Sequence, residues 1–379
     1  MKLSSSLQVF AGCISLAFAT LLLTLLFASP AAADGLTWEE VGDQLTIEAG
    51  LVGVDTDGNG VWVVAEGDSI ARSTDDGLTW TEVSTDDNDR WYAVQYLEDG
   101  IWVVAGNNGL VARSTDNGLT WTEVTTPVGA SVVSFHGMEY ANNTLVLVSG
   151  SGQSFNGLRS TDRGASFSEM QLPNEVAAGG LPREWWGVGY GDGVWIATAW
   201  QPVDGTQSTL VRSTDNGVTW TSVTPAINTS AIDASYGDGV WIAVAWFQGD
   251  GGEAFRSVDG GETWDYVSGV NANGEIYEVE YADGVWLAAS GSAGVSISRS
   301  VDDGLTWQGV QTDGSFTDVA YGNGTTIMVG GLGIWRSASV TLATQPGVLD
   351  TSFSTDGHVI RDFAGNNSDM VSSVSVDFE

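Results

Sequence analysis

Arg113, Ser114, Thr115, Asp116, Asn117, Gly118, Leu119, Thr120 and Trp121 form one phrase that decides the fold, because the 379-residue chain repeats it. Its opening Arg-Ser pair stands at Arg72, Arg113, Arg159, Arg212, Arg256, Arg299 and Arg336. Its closing aromatic stands at Trp80, Trp121, Phe167, Trp220, Trp264 and Trp307, at intervals of 41 to 53 residues. Within the phrase the Asp can accept hydrogen bonds from turn amides while the Gly supplies positive φ, so it reads as a tight turn whose aromatic opens the next strand. A second motif, a turn followed by a strand-like run such as Asp238 to Val244, recurs at Val61, Ile101, Thr144, Val194, Val240, Val285 and Thr325. Repeats of this length cannot bury a core singly and must stack. The 50 Gly and 17 Trp suit short strands joined by tight turns. The expected fold is all-β, a seven-bladed β-propeller of four-stranded blades.

Blade two shows its strands most clearly, at 92–96, 101–105, 110–113 and 119–124. Tyr96, Tyr140, Tyr190, Tyr236, Tyr281 and Tyr321 form a column in the first strands that suits packing between blades. The seventh phrase is split. Trp335, Arg336 and Ser337 begin it, and Asp34, Gly35, Leu36, Thr37, Trp38, Glu39, Glu40 and Val41 read as its second half. The N-terminal strand should therefore complete the last blade and remove its free edge.

The phrase resembles the Asp-box, or BNR, repeat Ser-x-Asp-x-Gly-x-Thr-Trp of sialidases, other glycoside hydrolases, sortilin-type receptors and photosystem II assembly factors. The resemblance implies that the boxes join third to fourth strands on the face opposite the ligand site. It also implies that Asp75, Asp116, Asp162, Asp215, Asp259 and Asp302 are structural rather than catalytic.

Lys2, an apolar run from Leu7 to Phe27 and the triplet Ala31, Ala32, Ala33 follow the order of a secretory signal peptide over residues 1–33, with an uncleaved anchor as the competing reading. Cleavage would remove Lys2, the only lysine, and Cys13, the only cysteine. The exported protein, whether secreted, periplasmic or held at the surface of a bacterial cell, would then depend on packing rather than disulfides. The propeller occupies 34–341. Beyond it, Gly347, Leu349, Asp350, Ser352 and Phe353 resemble the start of a delta-60 repeat, so 342–379 reads as a partial repeat or the start of a further module.

The 48 acids against 12 bases, a net charge of -36, have the wrong sign for nucleic acid or anionic lipid. A 42% hydrophobic content is enough for a core, so the acidity is that of a folded surface and not of disorder. The sialidase chemistry implied by the resemblance fails role by role. Seven of the eleven arginines left after cleavage lie in the boxes, only Arg90 and Arg183 are free to face a ligand, and the Arg-Ile-Pro motif is absent. A glycosidase with paired carboxylates needs only two acids across a groove, and 48 acids offer too many pairs for spacing to choose among. Asp55, Asp57, Asn59, Gly60 and Glu66 match a calcium-loop pattern, yet they lead into a repeated strand and not a helix. Calcium there is the one cofactor the sequence offers. His136 and His358 lack a recognisable metal or triad partner, and the sequons at Asn142, Asn228, Asn323 and Asn366 read as chance.

A ligand is expected on the face opposite the boxes, where the stretches 170–184, 200–209 and 246–254 read as long loops. They would gather Arg183, Glu184, Trp185, Trp186, Trp200, Gln201, Trp246, Phe247 and Gln248, joined by Arg90 and Trp91 from blade two. The expected function is a secreted, non-enzymatic binding or assembly module for a glycan or extracellular protein, with no stable membrane span after signal cleavage. The alternative is a glycan-active hydrolase using paired carboxylates on the same face. Export should leave Asp34 as the first residue, checked by intact mass of the secreted protein; a membrane-held product retaining 1–33 would establish the anchor.

Overall fold

The computed structural model describes residues 37–42, 45, 52–84, 90–128, 133–150, 157–173, 184–200, 209–223, 229–247, 251–271, 275–291, 296–310, 315–331 and 333–338. The signal segment and the 342–379 tail lie outside them, as do Arg183, Gln201 and Gln248. The strands form seven four-stranded antiparallel sheets, each a blade. In six blades the strands follow in sequence order. In the seventh, Thr37–Val41 pairs with Gly333–Ala338, with Trp38 opposite Ser337, so a strand from the N-terminal end stands as the fourth of the last sheet.

The innermost strands are Val52–Thr56, Trp91–Glu98, Phe135–Ala141, Glu184–Gly191, Ser230–Gly237, Ile276–Ala282 and Asp318–Gly322, and each contacts the next around a closed ring. Second strands such as Ile101–Gly106 and Thr144–Ser149 are buried at every residue. They read as unbroken apolar runs because both of their faces meet a neighbouring blade. An apolar cluster fills each of the seven seams. Trp62, Trp102, Trp195, Trp241 and Trp286 are fully buried in these seams. Near the axis there is little room: a Cβ at Gly53 would lie 2.9 Å from the Tyr92 carbonyl oxygen of the next blade.

The repeated phrase folds as one turn in six blades. In blade two, Asp116 Oδ1 accepts the Ser114 hydroxyl at 2.8 Å and the Thr120 amide at 2.9 Å, while Oδ2 accepts the Thr120 hydroxyl at 2.6 Å. Gly118, at φ +79°, donates its amide to Ser114 Oγ at 3.0 Å. The Thr hydroxyl and amide hold Asp116 at about 2, and the equivalent pair holds Asp215 at about 2. The closing tryptophan locks the turn from the strand side, as where Trp80 Nε1 donates to the Gly77 carbonyl at 3.0 Å. The phrase's arginine ties the blade to its neighbour: Arg113 Nε donates to the Arg163 carbonyl at 2.7 Å, and Arg336 Nε reaches Asp76 of blade one at 2.7 Å.

Deleting residues 34–41 should remove the fourth strand of the last blade, the seam packing of Trp38 and the 3.1 Å ion pair of Arg336 with Glu39. The expected cost is several kcal/mol, about that of emptying a large aromatic site, read as a lower midpoint in chemical denaturation.

Candidate functional site: the central channel

An innermost strand has pairing partners on one edge only, so its outer row of amides and carbonyls faces the axis and needs other partners. Carboxylates of the preceding blade supply them. Asp318 Oδ2 accepts the Val54 amide at 2.7 Å across the seam between blades seven and one. Asp55 Oδ2 accepts the Tyr96 amide at 2.6 Å and the Gln95 side chain at 3.0 Å, and Asp233 Oδ2 accepts the Val279 amide at 3.1 Å. Asp233 and Asp318 stand three residues before the column tyrosine of their own strand, and Asp55 one residue before Thr56, which takes that position in blade one. Residues two apart on a strand share a face, which also brings Glu139, Glu278 and Glu280 to the axis.

Together these strands enclose a cavity of 390 Å³ whose lining, among the described residues, contains no arginine or lysine. Burial pushes Asp55 up to about 7, against the hydrogen bonds from Tyr96 and Thr56, and pushes Asp233 up to about 6. Burial and the charge of Asp55 push Glu280 up to about 8. Glu139, Glu278 and Asp318 are raised well above the usual carboxyl range, again chiefly by burial. Glu278 neighbours Asp233 across the seam, and after burial the charge of Asp233 is the largest cause that raises Glu278.

One end of the channel is aromatic. Register shifts near the start of the inner strands of blades two to six leave Tyr92, His136, Trp186, Ile232 and Tyr277 out of the regular pairing. Such a bulge re-aims the side chain it carries, and all five line the cavity. Because first and third strands run parallel within a blade, these bulges lie at the end away from the repeated turns. Tyr92 and His136 meet edge to face at 5.5 Å, His136 and Trp186 lie 4.4 Å apart, and Trp200 lies 6.4 Å from Trp186. Burial brings His136 down to about 4, leaving the ring neutral.

The structure divides the candidates from sequence. Trp186 and Trp200 stand in the aromatic run, and Glu184, raised by burial, pairs in register with Trp200. Trp246 holds the equivalent register in blade five, opposite Ser230. Trp185 and Trp91 are fully buried in the seams, and Arg90 is exposed. The stretch 246–254 is shorter as a loop than its sequence suggests, because Phe247 pairs with Gly251 and the hairpin continues outward. At the calcium-like pattern, Asp55 turns to blade two, and Asp57 Oδ1 accepts the amides of Asn59 and Val61 at 2.7 and 3.0 Å. The Glu66 side chain lies outside the described residues, among which no three acids, histidines or cysteines converge on a metal position. No helix among them is long and apolar enough to cross a membrane. Tyr92, Tyr277 and the channel acids other than Asp55 escaped the sequence reading, which named His136 only as a histidine without a metal or triad partner. An acid one or three places before a column tyrosine was the available signal.

No family model matches the chain, and no curated protein matches it. Solved structures do. YCF48 bound to D1 peptide is 13% identical with a TM-score of 0.59, the match covering 79% of this chain and 96% of that one. A virginiamycin B lyase from Staphylococcus aureus, with quinupristin, is 16% identical with a TM-score of 0.63, covering 80% and 99%. A GH74 xyloglucanase from Xanthomonas campestris is 17% identical with a TM-score of 0.59, covering 79% and 53%. At these identities the likeness is one of fold: this chain is a seven-bladed β-propeller.

The neighbours Trp185 and Trp186 should part company on mutation. Trp185→Ala empties a seam site and should cost about 3–5 kcal/mol, whereas Trp186→Ala opens onto the channel and should cost roughly 1–2 kcal/mol through lost ring contacts. Urea denaturation of the two variants measures the difference.

Proposed function

We propose that this propeller is a non-catalytic binding module that grips a basic, extended peptide segment of a protein partner at the aromatic end of its channel. The observation that carries the reading is the run of rings from Tyr92 through His136 and Trp186 to Trp200, set before a cavity whose charged groups, among the described residues, are all carboxyls. Aromatic faces attract ammonium and guanidinium groups, and acids behind them add a field of the same preference. An anionic glycan is disfavoured by that field. In this reading the Asp-box (BNR) turns are the rigid frame on the far face. A propeller of similar fold solved with D1 peptide supports peptide as the ligand class.

Lysine- and arginine-bearing peptides should bind in a fluorescence titration, more weakly as salt rises. The Trp186→Ala, Trp200→Ala double variant should bind roughly tenfold or more weakly, as loss of an aromatic hot spot does. Binding only to neutral sugars on a glycan array would replace the reading.

A second reading, glycoside hydrolysis, has one observation in its favour: carboxyls carried by different blades, Glu139 and Glu278 among them, line one cavity, and a glycosidic bond is cleaved between two acids that stand apart across a groove. Turnover on a glycosidase panel that disappears in Glu278→Gln would put it first.

A further inference from the structure

Six carboxyl groups from five blades share the channel: Asp55, Glu139, Asp233, Glu278, Glu280 and Asp318. Blade two faces them with Tyr92 and the neutral Gln95, and blade four with Trp186, Tyr190 and glycines. The remaining titratable groups of the lining are His136, Tyr236, Tyr277 and Tyr281, none of them a cation at neutral pH. Asp57 adds further negative charge beside Asp55. Arg163, on the turn side of blade three, is engaged by Glu98 at 2.6 Å and Asp99 at 3.0 Å.

Three of the six do mechanical work across seams. Asp318 joins blade seven to blade one, Asp55 joins one to two, and Asp233 joins five to six. The Asp233–Glu278 pair spans that same five-to-six seam. With both groups ionised, the seam holds two like charges in a narrow space.

We propose that the channel carboxyl cluster is a proton-held latch, which lets the inner strands close on one another in mildly acidic surroundings and loosens the ring as the pH rises. The latch needs no ligand.

The direction follows from linkage. Asp55, Asp233 and Glu280 move up on folding, to about 7, 6 and 8, so between pH 4 and 8 these groups bind more protons in the folded protein than in the unfolded chain, and His136, moved down to about 4, offsets at most one of those protons. Stability from such groups is fully present below their unfolded values and is lost as the pH climbs through the folded ones. The turn aspartates work the other way: Asp116 and Asp215, at about 2, hold stability that is lost only as the pH falls below 4. The ring should therefore be tightest between these limits, in mild acid.

Thermal unfolding of the full chain between pH 4.5 and 8.5 tests this. The Tm should fall by about 5 °C or more from pH 5 to pH 8. Glu278→Gln and Glu280→Gln should flatten that fall and raise the Tm at pH 8, since the amide adds no charge to the channel. Glu82→Gln, at an exposed outer strand, should leave the slope as it is. Infrared titration of the wild-type protein provides a measure that does not depend on variants folding, and a protonated-carboxyl band should persist at pH 6, where free side-chain carboxyls are ionised. A Tm that is flat or rises from pH 5 to 8, an unchanged slope in both channel variants, or no protonated band at pH 6 would each overturn the latch.

Discussion

Six of the seven blades of this ring are stitched to the next by an arginine that donates its Nε to a backbone carbonyl. Arg72 reaches Asn117, Arg113 reaches Arg163, Arg159 reaches Asn216, Arg212 reaches Gly260, Arg256 reaches Asp303 and Arg336 reaches Asp76, all between 2.6 and 2.9 Å. Every acceptor is the residue at positive φ in the repeated turn. That conformation turns the carbonyl out of the hairpin ladder, where it would otherwise stay unpaired, and a guanidinium fixed by its own strand is the donor that can reach sideways to it. One side-chain bond thus joins the local requirement of a turn to the global requirement of a ring. The last of the set links residues 260 apart in sequence, so it orders a loop nearly the length of the propeller, and the apolar seams must supply the free energy for that.

The same accounting explains why so acidic a protein keeps acids at its axis. Seven inner edges converge there, and their amides need acceptors in a space too narrow for a further strand. Aspartate at the right parity supplies an oxygen at 2.6 to 3.1 Å to the next blade. Where no acid is present, as at Gly53, the neighbouring backbone comes so close that a Cβ would crowd it. The axis therefore alternates between close backbone contact and carboxyl bridging, and the bridging positions carry the chemistry.

Blade number, strand order and the split last blade were legible because they repeat: Trp38 sits opposite Ser337 as the two half-phrases imply. The tyrosine column was legible for the same reason. The channel was not, because its acids do not repeat. Asp55, Glu139 and Glu280 share one level, Asp233, Glu278 and Asp318 another, and the corresponding places elsewhere hold Gln95, Ser235, Ala320, Ala93 or glycine. No period marks such a set. Trp185 and Trp186 show a second limit. Both are tryptophans at the head of one strand, and a register shift between Trp185 and Val188 sends one into a seam and the other toward the channel. A bulge is a balance of local pairing and packing with no residue type of its own.

Aspartate performs two opposite tasks in this protein, and environment alone separates them. In the turns, Asp116 is close to water and surrounded by donors, so its charged form is the stable one and the turn depends on that charge. At the axis, Asp55 also receives an amide and a side-chain donor, yet burial outweighs both and favours the proton. Hydrogen bonds from neutral donors stabilise a carboxylate, but at the axis they do not replace the hydration that seven packed strands remove, and among the described residues no arginine or lysine lines the channel to make up the difference. The ring architecture itself creates this condition. Six of the arginines are committed to the outer seams where the turns require them, and among the described residues none lines the axis, which is left to balance its charge with protons or with whatever positive group enters from the aromatic end.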